Sequence, residues 1–289
     1  MCIRDRGKGF NQAVAACRAG ADTHFVCALG DDAGGATARE LAAQDGFALI
    51  AEASSEPTGT AGIYVDARGR NTIVIGPGAN AALGTDFLQQ QQALLTRAKV
   101  VLVQLESPVQ TIEAALATAR EAGVTTVLNT APADAPSTIG LLKLADVITP
   151  NETEFAALLG RHVGERVDAN DVAALDGASL HALCRKLVGN GTVVVTLGSV
   201  GVFVSHADEN LRGDTQPYYR VGAEQVQAID TTGAGDAFNG ALAASLAQVA
   251  DAPFARHVRF ANQFAGRSTE KEGAAAAMPR FTPADAETR

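Results

Sequence analysis

Val100-Val101-Leu102-Val103-Gln104-Leu105 is followed by Pro108, an Ala-rich run to Ala122, Gly123, and then Val124-Thr125-Thr126-Val127-Leu128. The stretch reads as a strand, a crossover helix and a second strand. An apolar run this continuous belongs to a strand buried on both faces, as in parallel sheets. Pro108 sits at a helix start, where its missing N–H costs nothing, and Gly123 closes the helix. The same rhythm extends outward. Residues 11–19 read as helix with Val14 and Cys17 on one face, 24–29 as a strand, 33–44 as helix, and Asp146–Thr149 as another strand. β-Branched runs alternating with longer Ala-rich patterns specify an α/β fold, a mostly parallel sheet with helices on both faces.

Two segments depart from that rhythm. Val193–Leu197 and Val202–Ser205 flank Gly198-Ser199-Val200-Gly201, which predicts two strands joined by a tight glycine-containing turn. Residues 58–76 run Thr-Gly-Thr-Ala-Gly-Ile-Tyr-Val-Asp, then Ala-Arg-Gly-Arg, then Asn-Thr-Ile-Val-Ile-Gly, a hairpin with no helix between its strands and a candidate lid. Gln89–Gln92 reads as the solvated face of a helix.

With 289 residues, 47% of them hydrophobic, the chain can bury a large core, and residues 7–289 are expected to form a single domain. A net charge of -9 argues against a nucleic-acid surface, which needs a clustered basic face, and favours a small-molecule substrate. Cys2, Cys17, Cys27 and Cys184 have neither CxxC spacing nor a dense framework, so they read as reduced thiols of a cytoplasmic protein. No apolar run approaches the ~20 residues of a membrane helix. The opening Met1-Cys2-Ile3-Arg4-Asp5-Arg6 is a charged hexapeptide with no hydrophobic signal region, fused directly to Gly7-Lys8-Gly9.

The chemistry concentrates in Asp230-Thr231-Thr232-Gly233-Ala234-Gly235-Asp236-Ala237-Phe238-Asn239-Gly240, where glycines and a carboxylate precede an Ala-rich helical pattern. Amides of Gly233, Ala234 and Gly235 at a helix start can point together at negative charge, and small residues let the backbone approach a phosphate. Asp236 in the same turn can accept a proton from an alcohol. Elsewhere, polar residues end the apolar runs: Glu106, Asn129, Asn151, and Thr196 with Gly198. Ligands of open parallel sheets gather at such strand ends, although each residue alone also reads as a turn or helix cap. Asn151 and Glu154, three apart, fit a capping box equally well.

These motifs, in order from Gly7 to about Pro279, resemble the ribokinase (PfkB-type) sugar kinases. The resemblance implies a three-layer αβα sandwich with a small β lid, and a first strand ahead of Gly7, so that residues 1–6 are expected to be non-native. It also implies ATP-dependent phosphorylation of a sugar, with D-ribose going to ribose 5-phosphate and Asp236 as the base. Deoxyribokinase, fructokinase and nucleoside kinase activities remain open, as does a binding protein that does not turn over. Gly7-Lys8-Gly9-Phe10-Asn11-Gln12-Ala13 resembles the sugar-binding stretch, with Gly7, Lys8, Gly9 and Asn11 as contacts; Arg6 replaces a glycine and Phe10 a small residue. Gln104-Leu105-Glu106-Ser107-Pro108 adds Glu106 to the sugar site. Asn151 and Glu154 resemble an element that meets phosphate and, through water, magnesium. Thr196, Leu197, Gly198, Ser199, Val200 and Gly201 resemble the nucleotide loop, with Val200 in place of a polar residue, and Asn262 stands beside the adenine. Asp230, Thr232, Ser268, Lys271, Gly273 and Ala277 correspond to a potassium loop that uses mostly backbone oxygens. A homodimer through the lid is also implied.

Overall fold

A computed structural model describes residues 4–5, 7–65 and 71–285. The chain begins with β1 (Arg4–Asp5), α1 (Lys8–Arg18), β2 (His24–Gly30), α2 (Ala33–Asp45), β3 (Ala48–Ser54), β4 (Thr60–Val65) and β5 (Asn71–Gly76). Short helices α3 (Thr85–Gln90) and α4 (Gln92–Arg97) lead into β6 (Val100–Gln104), α5 (Val109–Glu121) and β7 (Thr125–Asn129), the unit read first in the sequence. Then come α6 (Ile139–Leu144), β8 (Val147–Ile148), α7 (Glu152–His162), α8 (Gly177–Leu187), β9 (Thr192–Thr196), β10 (Gly201–Ser205), β11 (Tyr218–Gly222), α9 (Ala234–Gln248) and α10 (Phe254–Ser268). No helix among the described residues is long and apolar enough to cross a membrane.

The main sheet has the order β11-β10-β9-β8-β7-β6, parallel from β6 to β9 and antiparallel where β10 turns back. Alternation along its strands separates two cores. Val127, Val147 and Val194 pack with residues of α1, α9 and α10, whereas Leu128, Ile148 and Val193 pack with α5, α7 and α8. The three-layer expectation holds. Pro108 is the N-cap of α5 and not its first residue, and Gln89–Gln92 spans the break between α3 and α4 instead of one helix face.

The expected continuous sheet is divided. β2 and β3 pair in parallel as a separate sheet, and among the described residues neither β2 nor β6 has a partner on its remaining edge. A slot of about 890 Å³ is lined by both, with alanines of α1 and α9 and leucines of α3 and α4 completing its walls.

The hairpin β4–β5 forms as expected; its Ala67–Arg70 turn lies outside the described residues. Arg4 and Asp5, part of the hexapeptide expected to be foreign, pair with β4 and give this sheet a third short strand. At the hairpin's base, the Asp32 carboxylate accepts the Thr58 N–H at 2.7 Å and the Gly35 N–H at 2.8 Å. Those bonds hold its carboxyl below the ordinary range and fasten the lid to the end of β2.

Candidate active site

Helix α1 begins earlier than the sequence pattern indicated. Gly7 is its N-cap, and Lys8 and Gly9 are its first residues, despite the helix cost of glycine. Packing requires the small residue: a Cβ on Gly9 would lie 2.9 Å from Gln104 Oε1 and 3.0 Å from the Phe25 ring. The helix start also has an acceptor. The Lys8 backbone N–H donates to Glu106 Oε2 at 2.8 Å, so the carboxylate after β6 meets the positive end of α1. Gly7, Lys8 and Glu106 are thus brought together.

One turn further along α1, Asn11 Nδ2 donates to Asp236 Oδ2 and Gln12 Nε2 to Asp236 Oδ1, both at 2.9 Å. Asn11, expected to face a sugar, also holds this carboxylate through its Nδ2. Asp236 is buried at the start of α9, one residue beyond the exposed Gly235. Gly233 takes the left-handed conformation (φ 76°) that turns the chain into this helix. Of the three amides expected to be open, Ala234 N–H donates to the Thr231 carbonyl at 3.2 Å, whereas those of Gly233 and Gly235 have no acceptor among the described residues. A Cβ at Gly235 would meet nothing within 4 Å, so its smallness leaves room for something other than protein.

Gly235→Ala therefore tests the turn. It is expected to leave Tm unchanged while lowering kcat/KM at least ~10-fold, because the methyl occupies the approach to an amide that has no protein acceptor among the described residues. Gly233→Ala is the contrasting case: it forces alanine into positive φ with its Cβ 2.8 Å from that of Ala274. It is expected to lose about 1–2 kcal/mol of stability, read by thermal unfolding.

Asn151 and Glu154 form the capping box of α7: Glu154 N–H donates to Asn151 Oδ1 at 2.8 Å and Asn151 N–H to Glu154 Oε2 at 3.0 Å. Burial pushes the Glu154 carboxyl up, the Asn151 bond and Lys8 charge oppose this, and Asp236 adds to it. Two buried carboxylates with one lysine near them fit a hydrated divalent cation, which keeps its water and needs charge more than close ligands. The nucleotide-loop candidates adjoin this helix start. Thr196 N–H donates to Pro150 O at 2.9 Å, Leu197 is buried beneath the turn, and Gly198, Ser199 and Val200 are exposed. Gly201 has φ 110°, and a Cβ there would lie 2.1 Å from the Val221 carbonyl. Asn262 Nδ2 donates to Gly222 O at 2.7 Å and ties α10 to the end of β11.

Asp230 accepts N–H groups from Gly273 at 2.8 Å and Thr232 at 2.9 Å, which hold its carboxyl low and its charge fixed. Ser268 donates its hydroxyl to the Ala265 carbonyl, Lys271 is exposed, and Ala277 is buried in a short turn and has no side-chain oxygen. Sequence reasoning missed Gln12, Gln104, Thr149 and Asn239 as members of the site. For Gln104, Thr149 and Asn239 the signal was a polar residue beside apolar ones within an apolar strand or helix, where burial demands a partner.

Residues 7–280 match the pfkB family carbohydrate kinases. The chain belongs to that family. The Haemophilus influenzae protein named ribokinase is 39% identical to this pfkB-family kinase over 94% of the chain and 83% of the relative. The solved ribokinase of Giardia lamblia superposes with a TM-score of 0.84 at 28% identity, over 98% of this chain and 88% of the other. The Arabidopsis thaliana ribokinase complexed with ribose and ATP has a TM-score of 0.78 at 29% identity, over 95% and 84%.

Proposed function

We propose that the chain is a ribokinase, transferring the γ-phosphoryl group of ATP to O5 of D-ribose and releasing ribose 5-phosphate and ADP. The observation that carries this is Asp236, buried between two carboxamide donors of α1 and next to the open Gly235 amide. In this reading Asp236 takes the hydroxyl proton as the sugar oxygen attacks, and the turn 233–235 faces the charge that develops on the transferred group. Gly7, Lys8, Gly9, Asn11 and Glu106 bind the sugar, while Thr196–Gly201, Asn151 and Asn262 bind ATP. Glu154 holds magnesium through water, and the metal's contribution is to neutralise phosphate charge. Asp230 and the backbone of 268–277, with Thr232, hold potassium as a monovalent activator; the fixed charge of Asp230 supports that assignment.

The lid closes over the sugar and excludes water. Dimerisation through it belongs to the same proposal, because β5 has no partner on its outer edge among the described residues, and such an edge favours pairing with a second copy.

ADP release, coupled to a dye and run with ribose, deoxyribose, fructose and nucleosides, tests the assignment. Ribose is expected to give the highest kcat/KM; another sugar in first place would transfer the chain to a sister activity. A thermal shift with ligand but no ADP would mark a binding protein. Glu106→Gln is expected to raise the ribose KM about 10-fold, from loss of charge-assisted bonds, with the ATP KM little changed. Equal effects on both substrates would remove Glu106 from the sugar site.

A further inference from the structure

A buried chain of amide side chains runs beneath the reacting groups. Gln104 Nε2 donates to Gln12 Oε1 at 2.6 Å, and Gln12 Nε2 donates both to Asp236 Oδ1 at 2.9 Å and to Asn129 Oδ1 at 3.0 Å. Asn129 Nδ2 donates to the Thr149 carbonyl at 3.0 Å, Thr149 Oγ1 to Asn239 Oδ1 at 2.5 Å, and Asn239 Nδ2 to the Gly235 carbonyl at 2.8 Å. Gln12, Asn129, Thr149 and Asn239 are buried; Gln104, at the sheet edge, is half-buried.

Every link in this chain has a direction. The Gly235 carbonyl accepts only, which fixes the orientation of Asn239, and an ionised carboxylate also accepts only, which fixes Gln12. Gln104 secures the same orientation from the other side by donating to Gln12 Oε1. We propose that Gln12 is a positioning residue for Asp236, oriented by Gln104, and that this carboxamide chain sets the carboxylate and the Gly235 peptide in mutual register. The proposal rests on Asp236 being the base.

The decisive comparison is Gln104→Glu against Gln104→Leu. Glutamate cannot donate, so it draws Gln12 Nε2 toward itself and turns Gln12 Oε1 onto Asp236 and Asn129 Oδ1, whereas leucine removes the tether without reversing it. Expected is a loss in kcat of ~10–10² for Gln104→Glu, a smaller loss for Gln104→Leu, and an unchanged ATP KM in both. Gln12→Leu should lose at least as much kcat as Gln104→Glu. Because it leaves buried partners unsatisfied and can impair folding, the half-buried position 104 carries the test, with Tm measured alongside.

The Asp236→Asn background separates the alternatives. A carboxamide at 236 can donate or accept, so Gln104→Glu should cost no more than Gln104→Leu there. Equal losses for the two position-104 variants in the parent, or an undiminished difference in the Asp236→Asn background, would overturn the positioning role. Parental turnover by Asp236→Asn alone would instead overturn the base assignment on which it rests.

Discussion

Asp236→Asn is expected to lower kcat by at least ~10², the usual scale for loss of a general base, while ATP binding persists. The substitution keeps the shape of the side chain and its place at the start of α9, and removes its capacity to take a proton. One feature sharpens the expectation. Both oxygens of Asp236 accept carboxamide N–H groups, from Asn11 and Gln12, and an asparagine there must turn its own NH2 toward one of those donors. The variant therefore loses the base and disturbs its setting together. Single-turnover phosphoryl transfer, with binding of a nonhydrolysable ATP analogue measured separately, checks both halves; a parental rate would exclude Asp236 as the base.

Gly240→Ala is expected to be nearly as damaging, although the residue lies one turn beyond the chemistry. In an exposed helix interior alanine would gain about 1 kcal/mol over glycine. Here the sign reverses, because an added Cβ would lie 2.4 Å from the Gln12 carbonyl oxygen, 2.5 Å from Ala15 Cβ and 2.9 Å from Ala16 N. Backbone cannot yield as a flexible side-chain tip does, so α1 must move away from α9. A net loss of about 2 kcal/mol is expected from the overpacking. Displacing α1 also draws Asn11 and Gln12 off Asp236, and kcat should fall by ~10–10², the effect of sub-ångström to ångström misplacement. Thermal unfolding and kcat measured below the transition check the two effects; an unchanged Tm would show that the helices tolerate the methyl group.

The parts of this molecule legible in the sequence are those where one local rule dominates. β6–α5–β7 was readable because apolar runs, Pro108 and Gly123 agree with one another. The turn at 233–236 was readable because glycine, small residues and a carboxylate in that spacing have few other uses. Less was visible where a residue serves a distant partner. Gly9 and Gly240 look like flaws in helices until the neighbours pressing on them are seen, and Asn239, between Phe238 and Gly240, looks like a misplaced polar residue until Thr149 and the Gly235 carbonyl reach it. Asn11 was read as a sugar ligand from its motif and Asn262 as an adenine neighbour; the bonds of their amides to Asp236 and to the Gly222 carbonyl are set by tertiary packing and have no local signal. The division of the main sheet was invisible for a related reason, since strand composition states burial and not which edges meet.

Because no ladder joins β2 to β6 among the described residues, the half of the molecule that anchors the lid and the half that carries Asp236 differ in how they pass on a load. The Asp32–Thr58 fastening ties the hairpin to the paired strands β2 and β3, and their ladder ends at the slot. Beyond it, the direct route leads through α1, whose far side presses on α9 and whose first turns grip Glu106 and Asp236. Whatever displaces that one helix therefore displaces its holds on Glu106 and on Asp236 together.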